Sequence, residues 1–386
     1  MNPNEDFIKL RLSDKIYDSL TENHQPYVAT FELTPRCNFK CIHCYLGTHR
    51  EETNVLSYEQ IIHVIDQLRC AGVIQLALTG GECMLREDFC RIYRYAKEQG
   101  FIVSVFSNLS VLSDEVVKLF KEYPPFSVEV SVYGASEETY KKITGTAMFR
   151  TVLDNLDKLY RNNIHFSLKT PFMLQNISDK ASLENIAQKY GKELRVGMVL
   201  SPTIDQEQYT GSFQVDICQR FQFEAEKNPM REIGVNLSET VNHMGEALDR
   251  GENVPLFVCN PGVTDVFVDY CGNVCPCIGY RSKGISIFEK DFDEIWNSFK
   301  YLKRIPAPKE YKCSRCDSRF FCSICVGEQD EVYNDMCHIP LEVCTYSRAR
   351  KMYYVDKLDV KDIIKFIKKE VNNHEIPETN NQEAEH

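Results

Sequence analysis

Tyr27-Val-Ala-Thr-Phe-Glu-Leu-Thr-Pro-Arg-Cys37-Asn-Phe-Lys-Cys41-Ile-His-Cys44-Tyr45 sets a short apolar, β-branched run directly before three closely spaced cysteines. The run reads as a strand over Val28 to Leu33, and the cysteines as the loop leaving its carboxyl end. From Tyr27 to about residue 200 the pattern repeats, with strand-like runs at Gln75 to Leu78, Ile102 to Phe106, Ser127 to Val132, His165 to Leu168 and Leu194 to Leu200. Segments of helical period lie between them. Ser57-Tyr-Glu-Gln60 opens one as a capping box with Ile61, Ile65 and Leu68 on one face, and Val116, Val117 and Phe120 stripe another. Six strand–helix units with crossovers long enough for parallel pairing predict an α/β fold, either an open doubly wound sheet or a partial barrel. In both, the site lies at the carboxyl ends of the strands. The motifs fall there: the cysteines after strand one, Gly80-Gly81-Glu82 after strand two, Ser107-Asn108 after strand three and Ser131 at the end of strand four.

The whole chain has 386 residues, 43% hydrophobic and 26% charged, which fits a globular protein with one large domain and a smaller one. Its 45 basic against 56 acidic residues give a net charge of −11, which argues against nucleic acid as a partner. No apolar run is long enough to span a bilayer, and Met1 to Ser19 mixes charged and polar residues unlike a secretory signal, so the expected address is cytoplasmic, with no membrane partner. In that reducing compartment seventeen cysteines point to metal ligation rather than disulfides. Three lie between 37 and 44 and ten between 259 and 344, leaving Cys70, Cys83, Cys90 and Cys218 to be read as buried thiols.

Cys37-x3-Cys41-x2-Cys44 offers three soft thiolates on a short loop, suited to three irons of a cubane and leaving the fourth iron open. The alternative is a structural zinc, which usually takes four protein ligands. Cys37-Asn-Phe-Lys-Cys41-Ile-His-Cys44-Tyr45 resembles the signature loop of the radical S-adenosylmethionine (SAM) superfamily, and Gly80-Gly81-Glu82 resembles that superfamily's second motif. The resemblance covers roughly residues 27 to 200 and implies a partial (β/α)6 TIM-like barrel. It implies a [4Fe–4S] cluster on Cys37, Cys41 and Cys44 that binds SAM, with Gly80, Gly81 and Glu82 at the methionine amino group. His43 would meet the adenine through its main chain, Ser131 and Lys169 would contact ribose and carboxylate, and Asn108 would be a further SAM contact. The implied reaction is reductive cleavage of SAM to a 5′-deoxyadenosyl radical, which abstracts hydrogen from a substrate.

Farther along, Cys259-x12-Gly272-x4-Cys277, then Cys313-x2-Cys316-x5-Cys322-x2-Cys325, then Cys337 and Cys344, resemble the SPASM extension, which houses two auxiliary iron–sulfur clusters. That resemblance implies one cluster on Cys259, Cys277 and Cys325 with Cys271 or Cys275 as a fourth ligand or an open position. It implies another on Cys313, Cys316, Cys322 and Cys344, with Cys337 competing for the last place. Paired zinc sites are the alternative, although five residues between the Cys-x2-Cys units is short for a zinc ribbon. The expected organisation is an N-terminal extension (1–26), the barrel (27–205), a bridging region (206–258), the SPASM domain (259–350), a C-terminal helix (351–371) and a disordered tail (372–386).

SPASM extensions imply peptide or protein substrates, as in maturases of ribosomally made peptides, with tetrapyrrole modification as an alternative. Sulfatase activators usually carry Asp immediately after the cysteine of the Gly-x4-Cys element, where this chain has Ile278, so crosslinking or oxidation of another peptide is the expectation. A non-catalytic iron–sulfur protein would leave Gly80-Gly81-Glu82 without a purpose. With only the 26-residue N-terminal extension before the barrel, leader recognition is expected from a separate protein or another surface, and the electrons from a donor such as flavodoxin or ferredoxin.

Overall fold

The computed structural model describes residues 14–47, 55–204, 210–227, 254–257, 259 and 261–372. The elements are α1 (Asp14–Glu22), β1 (Val28–Glu32), α2 (Tyr58–Cys70), β2 (Gln75–Thr79), α3 (Phe89–Glu98), β3 (Ile102–Ser107), α4 (Asp114–Glu122) and β4 (Ser127–Ser131). They continue with α5 (Glu137–Thr144), α6 (Phe149–Arg161), β5 (Phe166–Pro171), α7 (Lys180–Lys189), β6 (Leu194–Gly197), α8 (Ile217–Lys227), β7 (Asp265–Val268), β8 (Asn273–Cys275) and β9 (Ile285–Ser286). Last come α9 (Phe292–Ser298), α10 (Val326–Tyr333), α11 (Leu341–Tyr354) and α12 (Val360–Asn372). All six expected strands form and pair in parallel, in the order of a partial barrel. The fifth runs on to Pro171, which brings Lys169 and Thr170 into the ladder, and proline, lacking a donor, ends it.

The cysteine-rich segment contributes β7, parallel to β1 on the side away from β2, and β8 and β9 extend the sheet antiparallel beyond it. The described residues group into two compact units. The first comprises Met1–Gln214, Phe257–Ile305 and Gly327–Met336, and the second Val215–Leu256, Pro306–Val326 and Cys337–His386. Segment 259–350, expected as one domain, thus contributes to both. Residues 373–386 of the expected tail lie outside the described residues. Among the described residues no helix is long and apolar enough to cross a membrane.

Strand register in the first unit separates two faces. Ala29, Phe31, Leu76, Leu78, Val103, Val105, Val128, Val130 and Leu168 share one face, and all are buried. With the buried stripes Ile61, Ile65 and Leu68 of α2 and Val116, Val117 and Phe120 of α4, they belong to the hydrophobic core. The other face carries Thr30, Glu32, Thr79, Ser104, Ser127, Glu129, Ser131, Ser167, Lys169 and Arg195. A parallel sheet covered by apolar layers on both sides reads as continuous hydrophobic runs, so this alternation marks a polar lumen. The expected capping box is present, Ser57 accepting from the Gln60 amide and Gln60 returning the bond. Of the four isolated cysteines, Cys83 and Cys218 are buried and Cys90 is half-buried, but Cys70 is exposed. It ends α2 beyond the apolar stripe, where burial was wrongly expected.

In the second unit α8, α11 and α12 enclose Ile217, Phe221, Ala349, Tyr353, Ile363 and Ile367. Glu224 gathers the Tyr346 and Tyr354 hydroxyls and the Arg350 guanidinium beside that core. Phe221→Ala should cost about 3–5 kcal/mol through the cavity it leaves, seen as an earlier denaturant transition of this unit, with the capping-box helix of the first unit retained.

Candidate active site

The loop after β1 is held from below by the loop after β2. The Gly81 amide donates to the Thr34 carbonyl at 2.7 Å and the Glu82 amide to the Arg36 carbonyl at 2.9 Å. A Cβ on Gly80 would stand 2.2 Å from the Thr34 oxygen, and one on Gly81 2.4 Å from both the Pro35 and Arg36 oxygens. Gly80 also has φ +137°, a conformation L side chains rarely adopt. Both glycines therefore permit the backbone contact that fixes the segment leading into Cys37.

Glu82 is fully buried. Its carboxylate accepts from the Ser107 hydroxyl and the Asn108 amide, each at 2.8 Å, and from the Met84 amide at 3.1 Å, joining the loops after β2 and β3. Burial raises its pKa to about 7, although these three donors oppose the rise. The Asn108 side chain reaches back to the cysteine loop, its Nδ2 lying 3.5 Å from Cys37 Sγ and 3.3 Å from Asn38 Oδ1. Burial pushes the Cys37 thiol up to about 11, the Phe39 amide opposes that, and the charges of Glu82 and Cys44 add to it. Cys41 is buried, and Cys37 and Cys44 are half-buried.

His43 lies between the second and third cysteines with its ring centroid 5.2 Å from that of Tyr133. Burial lowers its pKa to about 4, and its Nδ1 has no hydrogen-bond partner among the described residues. Ser131 and Lys169 are register partners at the ends of β4 and β5. The Lys169 ammonium stands 3.8 Å above the Phe106 ring, and burial lowers its pKa to about 7. The sequence-predicted residues thus come together around the carboxyl ends of β1 to β5, facing the polar lumen.

Three soft thiol ligands on one loop, a buried imidazole nitrogen left unpartnered and a polar lumen suit an iron–sulfur cluster with one open iron and a polar small-molecule ligand. The Radical SAM superfamily pattern matches residues 31–187, and the iron–sulfur cluster-binding SPASM domain matches residues 259–317. The chain is a radical SAM enzyme with a SPASM domain. Its cofactors are [4Fe–4S] clusters and SAM. The AdoMet-dependent heme synthase of Methanosarcina barkeri is 25% identical over 78% of this chain and 91% of its own. Mycofactocin maturase MftC of Mycobacterium tuberculosis is 22% identical over 85% and 90%. Among solved structures, Streptococcus suis SuiB bound to precursor peptide SuiA is similar in fold, with TM-score 0.61 and 15% identity over 78% of this chain and 73% of that one. Native anSMEcpe with bound AdoMet also has TM-score 0.61, at 16% identity over 90% and 100%.

Two charged groups of the radical SAM barrel were not singled out from the sequence. At the end of β1, Glu32 receives both nitrogens of Arg281, at 3.0 and 2.8 Å, and the Tyr45 hydroxyl at 2.5 Å. Burial and Glu32 together hold the Tyr45 phenol far above its ordinary range. Deeper in the lumen Glu129 pairs with Arg195. The readable signal was Ser127-Val-Glu-Val-Ser131, an acid inside a strand whose polar positions alternate.

In the SPASM region Cys313, Cys316 and Cys322 lie within electrostatic reach of one another. Burial raises the Cys313 thiol, the Tyr311 hydrogen bond opposes that, and Cys322 and Cys316 add to it. Burial also raises Cys344, with Cys316 second and Cys322 contributing, so Cys344 shares their neighbourhood. Tyr311, hydrogen-bonded to Cys313, feels Cys337 as well, so Cys337 also lies beside this group. In the first unit Cys275 is buried, its Sγ close to the Asn273 and Arg281 carbonyls, whereas Cys271 and Cys259 are exposed and Cys277 is half-buried. Half-buried Cys325 belongs to the second unit. Among the described residues no disulfide joins any of the cysteines.

Gly81→Ala should displace the Thr34–Arg36 backbone, cost about 1–3 kcal/mol of stability and reduce iron bound at the cysteine loop. Iron analysis with denaturant titration checks this; full iron loading with unchanged stability would contradict the docking role.

Proposed function

We propose that Cys37, Cys41 and Cys44 hold the SAM-cleaving cluster and that the enzyme modifies a ribosomally made peptide by hydrogen abstraction followed by crosslinking or oxidation. When bound and reduced, the cluster supplies the electron that cleaves SAM to the 5′-deoxyadenosyl radical. The chain's own residues position and exclude water. The Gly80–Gly81 contact holds the cysteine loop, and Glu82 ties it to β3. His43, Gly80, Gly81, Glu82, Asn108, Ser131 and Lys169 would hold SAM, with Lys169 supplying a cation for its carboxylate. Auxiliary clusters are assigned to Cys259, Cys277 and Cys325 with Cys271, Cys275 or an open position, and to Cys313, Cys316 and Cys322 with Cys344 or Cys337.

The peptide reading rests on the charge balance of the lumen. Arg281 is matched by Glu32 and Arg195 by Glu129, leaving Lys169 as a cation without an ion pair among the described residues. A tetrapyrrole bearing several carboxylates calls for several uncommitted cations, whereas a peptide backbone is served by the serines and threonines that line this face. Similarity to mycofactocin maturase MftC supports the same reading. Tetrapyrrole modification is the second reading, favoured by similarity to AdoMet-dependent heme synthase. A separate leader-binding protein and a flavodoxin- or ferredoxin-type donor complete the proposal.

Anaerobically reconstituted protein given SAM and a strong reductant should release 5′-deoxyadenosine, and its absence would sink the enzyme mechanism. Iron near twelve per chain should accompany three clusters. Cys41→Ala should abolish cleavage while retaining the auxiliary iron. Incubation with short peptides and tetrapyrroles separates the two substrate readings by which one gains or loses mass.

Lys169 gives a pH test. Only its charged form binds a carboxylate, and burial lowers its pKa to about 7, so its contribution to SAM affinity should be full below that pH and be lost as pH rises through it. Glu82, also at about 7, gains its charge over the same range. Lys169→Met should weaken binding by about 1.5–3 kcal/mol, roughly 10- to 150-fold, and remove the part of the pH dependence in which affinity falls as pH rises, leaving the opposite contribution of Glu82. Equilibrium dialysis against pH measures both.

A further inference from the structure

Asn108 is buried between the cysteine loop and the loop after β3, and its neighbours settle which way its amide faces. Asn108 Oδ1 accepts from the Ser110 main-chain amide at 2.8 Å and from the Ser110 hydroxyl at 2.5 Å. A main-chain N–H can only donate, so the atom facing Ser110 must be the oxygen. Nδ2 is thereby turned towards the cysteine loop, where it donates to Asn38 Oδ1 at 3.3 Å and to Cys37 Sγ at 3.5 Å. Asn38 is fixed in turn by Ser110, to which its own Nδ2 donates at 2.8 Å. The Asn108 main chain is pinned from the other side by Glu82. A second donor, the Phe39 amide at 3.4 Å, reaches the same sulfur. Two N–H groups therefore converge on one of the three thiols assigned to the SAM cluster, and one of them comes from a different strand's loop.

We propose that Asn108 is a positioning residue that sets the reduction potential of the SAM cluster by donating a hydrogen bond to the Cys37 thiolate. This rests on the assignment of that cluster to Cys37, Cys41 and Cys44. Reduction adds negative charge to the cluster and its sulfurs, so a fixed donor stabilises the reduced form more than the oxidised one and raises the potential. With Asn108 5% exposed, water cannot readily replace the lost donor, and the bond acts in a low-dielectric setting. Ser110 and Asn38 hold the amide in the donating orientation, so the effect does not depend on a side chain free to turn away.

The test is an EPR-monitored redox titration of the reconstituted full chain, following the reduced-cluster signal that changes when SAM is added. Asn108→Leu keeps similar bulk without a donor, and should move that signal to more negative potential. At a fixed poise the ratio of reduced to oxidised cluster should fall roughly tenfold, equivalent to about 59 mV for a one-electron couple. Ser110→Ala removes the hydroxyl but keeps the Ser110 main-chain amide that turns Nδ2 towards Cys37, and should keep the wild-type potential. An unshifted Asn108→Leu, or a Ser110→Ala shift of equal size, overturns the proposal. If Asn108→Leu does not load iron, Asn108→Ser, whose hydroxyl is too short to reach the sulfur, is judged by the same criteria. In the wild-type protein, side-chain 15N-asparagine should show a nitrogen coupling to the reduced cluster in pulsed EPR, and no coupling overturns the proposal without any variant. A wild-type protein with no SAM-responsive signal would instead defeat the cluster assignment, which separates the two failures.

Discussion

The close approach of the Gly80–Gly81 backbone to Thr34, Pro35 and Arg36 is the constraint on which the site depends. Parallel pairing of β1 and β2 brings the two strand ends level, Glu32 opposite Thr79, and the next residues of each strand must then pass within backbone contact. Only glycine leaves room, since any Cβ would lie 2.2–2.4 Å from a carbonyl oxygen. The two amide–carbonyl bonds that result turn a flexible cysteine loop into a rigid extension of the sheet.

From that anchor the order spreads by shared partners. Glu82, one residue beyond the glycines, hands the constraint to Ser107 and Asn108, and Asn108 returns it to Cys37 and Asn38. Three loops from three strands are thereby closed into a ring of hydrogen bonds around the first cysteine. A buried carboxylate is expensive unless its oxygens are satisfied, and here three donors do so. The Glu32–Arg281–Tyr45 group performs the corresponding task on the other flank, linking the cysteine loop to the turn that follows Cys277. The SPASM sequence is therefore tied into the first unit both by β7 in the sheet and by a guanidinium fork.

The lumen has a consistent charge logic. Acids sit on the strands at Glu32 and Glu129, and each is met by an arginine brought from later in the chain. Such pairs contribute little net stability because desolvation offsets their attraction, but removing one partner leaves a buried charge exposed to a low dielectric. Lys169, resting on Phe106, is the cation left available for a ligand.

Much of this was legible along the chain. Six strands, the capping box at Ser57, the cysteine spacing and the placing of Gly80 to Glu82 and Ser131 at strand ends follow from local periodicity and turn chemistry, which act over a few residues. The auxiliary cysteines were visible as spacing alone. What only the tertiary structure decided are the contacts between residues far apart in sequence. These are β7 joining β1, Arg281 meeting Glu32 across 249 positions, the exposure of Cys70, and the orientation of the Asn108 amide towards Cys37 across 71. Local pattern fixes which face of a strand or helix a side chain occupies. Which distant group it meets there depends on strand order and register, and those are set by the packing of the whole sheet.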